Sequence, residues 1–463
     1  SVPEFMLRRF GTGAHLVNAV SFAVAQLLIA GINLYLLGSI IQALLGLDLF
    51  LAVVIAAVIV LCYITLGGLS AAIYNEVLQF FVIVAALTPL TLLGLDRVGG
   101  WQGVKDGIAE TAGQGDVPPA ADQLNSWPGT ALTGFDSELL SVVGIVFGLG
   151  FVLSFGYWTT NFVEVQRAMA TDSISSARKT PIIGAFPKMF VPFITIIPGM
   201  IAAVLVAEIA EVKAGGDVSG GAEGSVTYND SLIYLMRDVL PNGLLGVAIA
   251  GLLAAFMAGM AANVSAFNTV FSVDLWERYA VKDRSDGYYL RVGRWATVGA
   301  TVVAVFTAQL AASFSNIMDY LQTLFGFFNA PLFATFILGM FWKRMTATAG
   351  WAGLVSGTLA AVLVGFLAEG TLGSLSIGVL PLSGQGAAFV AAGVAFAVDI
   401  VVSVAVSLVT TPKPAHELVG LVYSETPKED LIDEAEASYP WYRRTLPLAG
   451  IAAVLTIILN LAF

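Results

Sequence analysis

The chain has 463 residues, of which 57% are hydrophobic and 11% charged, with a mean hydropathy of +0.86. A soluble domain carries roughly a quarter of its residues as Asp, Glu, Lys and Arg, so the composition excludes a soluble protein and points to a polytopic membrane protein in the lipid bilayer. The net charge of −11 opposes nucleic-acid binding, and a single cysteine (Cys62) with two distant histidines (His15, His416) excludes an intrachain disulfide and a Cys- or His-rich metal centre.

The chain opens on Ser1, with no signal peptide ahead of the first apolar run. An N-terminal part of the protein is expected to lie outside this sequence. A helix needs about 20 apolar residues to cross a bilayer. On that criterion about 11 runs are predicted, near 13–38, 47–66, 71–95, 137–158, 181–209, 242–274, 288–312, 316–341, 348–369, 383–410 and 444–463. The runs are continuous rather than alternating, which predicts helices and not a barrel.

Basic residues mark one face. Arg8 and Arg9 precede the first run, and Arg167, Arg178 and Lys179 follow the fourth. Arg278 to Arg294, Lys343–Arg344 and Arg443–Arg444 continue the pattern on alternate connectors, which the positive-inside rule makes cytoplasmic. The loop over 96–136 and the Gly-rich stretch 213–228 then lie outside, and 412–442 inside. Residues 230–240 have apolar side chains at helical spacing and predict a short outer surface helix. The acidic stretch EDLIDEAEA reads as a solvated helix.

Helix breakers fall inside several runs: Gly156, Pro187, Pro198–Gly199, Gly326 and Pro331. Broken helices expose backbone groups, and transporters place binding sites at such breaks. A packing kink is the competing explanation at each one.

Polar residues within apolar runs are the candidate functional groups. Lys188 sits roughly 10 Å into its run at helical rise. It could bond a substrate oxygen, pair with a carboxylate, or snorkel to the cytoplasmic face. The Gln322 amide could bind a hydroxylated ligand or simply bridge helices. Tyr157 and Trp158 fit either an interfacial aromatic belt or an inner gate over a sugar face. Glu76 could carry a cation or proton, or pair with a basic residue at the boundary. In the sixth run, small residues around Asn263, Ser265 and Asn268 suit close helix packing.

Five segments together resemble the sodium/solute symporter family, most closely its sodium–glucose/galactose cotransporter branch. They are GGLSAAIYNEVLQFF (67–81), YWTTNFVEVQRAMA (157–170), AFPKMFVPFITIIPGMIA (185–202), NTVFSVDLW (268–276) and FILGMFWKR (336–344). The N-terminal VPEFMLRRF is similar to the family's connector between its second and third core helices. The resemblance implies an all-α, LeuT-type fold of two inverted five-helix repeats. Residues 1–95 would then be the remainder of the first repeat, 137–345 the second, and 346–463 additional helices.

Position by position, the resemblance implies a substrate site at Lys188, Gln322, Tyr157 and Trp158, with Ser154 where sugar carriers have an asparagine. It places a sodium-site carbonyl at Ala255, and Ala258 and Gly259 where the family has two serines. Sodium prefers hard oxygen ligands, which these side chains do not supply. Glu76 falls where the family often has an aspartate linked to cation binding or release.

The expected function is that of a multi-pass inner-membrane symporter moving a small polar solute, a sugar above all, by alternating access and coupled to sodium. Proton coupling or uncoupled transport is one alternative. A non-transporting sensor or membrane subunit is another. No nucleophile–base pair or metal constellation suggests an enzyme.

Overall fold

A computed structural model describes residues 2–113, 117, 119–125, 138–216, 219–220, 224–314, 316–368, 376–382, 384–427, 429, 433, 436 and 438–462, excepting the side chains of 63, 66–72, 138, 140, 219–220, 224–225 and 462. Among the described residues nearly all regular structure is helical, and nine helices are long and apolar enough to cross a membrane. Leu49–Cys62 and Thr445–Leu461 are shorter apolar helical stretches. The expected solvated helix in EDLIDEAEA lies largely outside the described residues.

The chain begins with an amphipathic helix, α1 (Val2–Phe10). Gly11, at φ 88°, turns it into α2 (Thr12–Leu45). Helix α3 (Leu49–Val98) starts at Asp48, whose carboxylate accepts from the Leu51 N–H at 3.2 Å. A break was expected between residues 66 and 71, but helical structure continues through it. No proline occurs between Leu49 and Pro89, so no backbone donor is missing there. The two halves still serve different cores. Ala52–Val60 pack with Met260 and Ala300–Ala311, whereas Leu87 and Leu90 pack with Ile201 and Leu252.

Two short helices follow, α4 (Gly100–Thr111) and α5 (Ala120–Leu124). The fourth predicted run is composite: α6 (Glu138–Val143), a π-helix π1 (Gly144–Phe155) and α7 (Gly156–Thr160). Asn161 leaves helical geometry and caps α8 (Phe162–Met169) by accepting from the Val163 N–H at 2.9 Å.

The fifth run is α9 (Ile174–Lys188), a turn at Met189–Phe190, and α10 (Val191–Leu205). The break expected at Pro187 therefore falls just after Lys188, with Pro192 opening the next helix. Pro198 sits inside α10 without ending it. Helix α11 (Ala207–Lys213) and a two-residue hairpin, β1 (Ser219–Gly220) with β2 (Gly224–Ser225), lead to α12 (Ser231–Val239). A short helix was predicted here. A reciprocal Thr227–Asp230 capping box precedes it, and it buries Leu235, Met236 and Val239.

Helix α13 (Asn242–Thr269) continues as π2 (Val270–Ala280), and α14 (Asp286–Ala312) follows. Helix α15 (Ile317–Phe341) is continuous, so Gly326 and Pro331 do not interrupt it as expected. Both serve packing instead. Pro331 meets Gly357, and Gly326 lies beside Ala388 and Ala392. The chain closes with α16 (Ala347–Leu367), α17 (Gly384–Val409) and α18 (Thr445–Ala462). A third core joins π1, α15, α16 and α17 through Leu153, Phe333, Ala361 and Phe396.

One buried cation ties α1 to this frame. Arg9 has no exposed surface. Its Nε donates to the Gly339 carbonyl at 2.9 Å and one Nη to the Trp342 carbonyl at 3.2 Å. A cation is thus placed on the orphan carbonyls at the C-terminus of α15. Burial lowers its pKa to about 10. Because that lies below the unfolded value, the charged form is disfavoured by folding at all lower pH. This cost is constant through the neutral range and is relieved only in strong alkali. Arg9→Ala leaves two carbonyls and a void. It should cost about 2–4 kcal/mol, read as a lower unfolding temperature in detergent with no pH dependence between mild acid and mild base.

Candidate functional site

The residues around 154–188 converge where α7, α8 and α9 meet α3 and α15. Gly156 is required by contact: a Cβ there would come within 2.9–3.0 Å of the Phe333 ring. That approach brings the next residue, Tyr157, onto Phe325, with ring centroids 4.8 Å apart. The Tyr157 hydroxyl donates to Glu164 Oε1 at 3.4 Å. One turn further along α8, Arg167 forms a two-point ion pair with Glu76 of α3, at 2.5 and 3.2 Å. Its remaining Nη donates to the Val163 carbonyl at 2.6 Å.

Charge at this end is therefore paired and partly screened from water. Arg167 and Glu76 are 21% and 22% exposed. Glu164 belongs to the connector between spans. Burial pushes its carboxyl above the usual carboxylate range, against the pull of Arg167, Lys188 and the Tyr157 hydroxyl. Glu164 was not singled out in the sequence. Its signal there was a carboxylate one turn before Arg167 on a short amphipathic helix.

Lys188 ends α9, and its ammonium lies 4.0 Å from the centroid of the Trp158 ring. This is cation–π distance. Lys188 and Trp158 line one cavity of about 430 Å³ together with Pro181, Ala185, Met189 and residues of α18. Tyr157 lies beside this cavity rather than in its lining. Ser154 is exposed on π1. Gln322 lies one turn below its helix start, and its amide nitrogen is 3.8 Å from Met318 Sδ. The structure thus groups Lys188, Trp158 and Tyr157 and leaves Gln322 apart from their cavity.

A second cleft was missed in the sequence. Asn18, Ser21 and Gln26 of α2 face Asn161, Phe325 and Asn329 across a space of about 10 Å³, room for about one water. Asn18 Oδ1, Gln26 Oε1 and Asn329 Nδ2 are buried there without a partner among the described residues. Their signal was three amides in otherwise apolar runs, on faces that periodicity alone did not align.

The proposed ion positions lie on α13. Ala255 and Ala258 are half-buried, and their side chains are methyl groups, which leaves the backbone carbonyl expected at Ala255 as the oxygen this position can offer. A Cβ at Gly259 would collide with Asn33 Oδ1 of α2, and the Gly259 carbonyl accepts from Asn263 Nδ2 at 2.8 Å. The side chains at 258 and 259 supply no oxygen ligand. A serine at 259 would require Asn33 to move.

A sequence model of the sodium:solute symporter family matches residues 1–357. The sodium/glucose cotransporter of Vibrio parahaemolyticus is 28% identical over 373 residues, covering 79% of this chain and 66% of that protein. Sodium/myo-inositol cotransporter 2 of Rattus norvegicus is 27% identical over 374 residues, covering 78% of this chain and 54% of that protein. The chain thus spans between about half and two thirds of the length of these two relatives. The solved structure of a substrate-bound, outward-open Na+-coupled sialic acid symporter aligns with a TM-score of 0.66 at 18% identity, covering 89% of this chain and 78% of that one. The shared fold is the LeuT-type helical architecture.

The Glu76–Arg167 pair is the testable element of this geometry. A double-mutant cycle with Glu76→Gln and Arg167→Met should give a coupling of about 1–2 kcal/mol, above an exposed pair and below a fully buried one. Thermal unfolding of the four variants in detergent measures it.

Proposed function

The chain belongs to the sodium:solute symporter family, whose members are multi-pass membrane transporters and not enzymes, and on that premise we propose that it moves a sugar or polyol by sodium-coupled symport. The observation that carries the solute class is Lys188 against Trp158 in the lining of an open cleft of about 430 Å³, with Tyr157 beside it. An ammonium donates to hydroxyl oxygens, and an aromatic face covers the apolar face of a sugar ring. The relatives named for glucose and myo-inositol support the same class.

The mechanism is alternating access. A solute shifts the inner–outer equilibrium only through its differential affinity for the two states. At the inner end, Tyr157 is held between Phe325 and Glu164, and α8 is tied to α3 by Arg167–Glu76. Releasing solute to the cytoplasm requires Tyr157 to leave Phe325. The adjacent turn at Met189–Phe190 gives Lys188 a helix end rather than a mid-helix position. The Lys188 backbone can therefore move without breaking a continuous helix.

A proton-coupled reading competes on one observation. Ala258 and Gly259 carry no hydroxyl where a sodium ligand is expected. Glu76 is its proton candidate, although the carboxylate is paired with Arg167. Uptake by the protein in proteoliposomes decides between the two. Sodium symport predicts accumulation driven by an imposed sodium gradient and insensitive to a protonophore. The reverse result replaces sodium with the proton.

The site assignment is tested separately. Lys188→Ala should weaken solute binding about tenfold to a hundredfold, the range of a hydrogen bond to a charged group. Gln322→Ala should weaken it about three- to tenfold. Isothermal titration with glucose and myo-inositol reads both. Unchanged affinity in both folded variants overturns the site.

A further inference from the structure

Helix α17 crosses the bundle with a single ionisable residue, Asp399. Its side chain is completely buried, as are Thr335 of α15 and Ser403 one turn along. Thr335 Oγ1 donates to Asp399 Oδ2 at 2.7 Å. Ser403 Oγ lies 3.0 Å from Asp399 Oδ1 and 3.3 Å from the Ala349 carbonyl of α16.

Among the described residues no cation faces this carboxyl. Helices α15, α16 and π1 pack against α17. Helix α16 and π1 contain no Asp, Glu, Lys, Arg, His, Tyr or Cys. On α15 the titratable groups are Asp319 and Tyr320, roughly four turns before Thr335. Arg9, at the C-terminal end of α15, donates to Gly339 and Trp342, and its other Nη has no partner among the described residues. An ionised carboxylate here would be an unpaired charge in a dry, low-dielectric junction, which burial strongly disfavours.

The junction is also too tight for a metal ion. A Cβ at Gly353 would collide with Ser403 Oγ and Asp399 Oδ1. One at Gly357 would lie 2.8 Å from the Ala395 carbonyl and from Pro331 Cβ. The oxygens are in direct hydrogen-bond contact, with no cation-sized gap between them.

The hydrogen bonds accommodate a proton as the ligand. Ser403 has one hydroxyl proton and two acceptors within reach, Asp399 Oδ1 and the Ala349 carbonyl. If Asp399 carries a proton on Oδ1, it donates to Ser403 Oγ, and Ser403 donates to Ala349. Thr335 still donates to Oδ2. Every group is satisfied and no net charge is buried.

We propose that Asp399 is a proton-binding site, held as a neutral carboxylic acid that joins α15, α16 and α17 through Thr335 and Ser403. Losing the proton places a bare charge in the junction and loosens the C-terminal helices from α15. The folded state binds a proton that the unfolded chain releases at neutral pH. Stability therefore falls as pH rises, with the unfolding equilibrium shifting by up to about tenfold per pH unit for one proton.

Infrared spectroscopy of the purified protein in detergent tests this. At neutral pH the wild type should show a protonated-carboxyl C=O band that Asp399→Asn removes and Ser403→Ala shifts to higher frequency. Thermal unfolding from mildly acidic to alkaline pH should show a decline that Asp399→Asn flattens. Absence of an Asp399-dependent band overturns the proposal. So does stabilisation by sodium that Asp399→Asn abolishes, which would mark a cation site. If Asp399→Asn does not fold, the Ser403→Ala shift and the wild-type pH profile decide alone: a shifted band with a declining profile supports the site, and an unshifted band overturns it.

Discussion

The bidentate contact between Arg167 and Glu76 ties α8 to α3. The two residues are 91 positions apart in sequence, and each is about four-fifths buried. Neither charge could sit there alone, because removing a charge from water is repaid only by a close, well-aligned partner. The pair therefore sets the level at which α8 lies against α3. That level determines where Asn161 ends the membrane-crossing backbone, where Tyr157 meets Phe325, and how near Glu164 stands to Arg167 and Lys188. The arrangement around Tyr157 follows from satisfying one partly buried ion pair.

Much of the fold was legible because hydrocarbon imposes a simple rule: helices of about 20 apolar residues with their backbone bonds closed internally. Most of the predicted runs agree with the observed helices to within a few residues. What failed was reading breaks from residue type. Gly326 and Pro331 both lie in an unbroken α15, because a missing donor or side chain can serve close packing as well as bending. The predicted turn between residues 66 and 71 failed for the opposite reason. Two glycines without a proline do not interrupt helical bonding.

The site was legible only where a residue type is expensive in the membrane. Lys188 and Glu76 stood out, and both make specific polar or aromatic contacts. Asn18, Gln26 and Asn329 did not stand out. A single amide in an apolar run is cheap, and the three share a cleft only through the crossing of α2 and α15. Asp399 was as expensive as Lys188 but lay beyond the segments that carry the family resemblance, where no motif drew attention to it. Ala258 and Gly259 are the converse case. Their sequence departs from the expected pattern, and the structure gives the space to Asn33 of α2.

Helix α15 shows how these parts are mechanically linked. Along it, Phe325 meets Tyr157, Phe333 meets Gly156, Thr335 meets Asp399, and the Gly339 carbonyl meets Arg9. Several of these contacts are close enough that relative sliding would produce collisions, so α1, α7 and α17 must move with α15 or lose the contacts outright. Helix α9 is different. Of its 15 residues only Ser175 is buried, and it ends at the Met189–Phe190 turn. An element with few buried contacts opens at low free-energy cost. The side bearing Phe325 and Tyr157 is therefore the more firmly packed of the two. Helix α9 carries Lys188, whose ammonium rests over the Trp158 face and is near enough to Glu164 to interact with its charge.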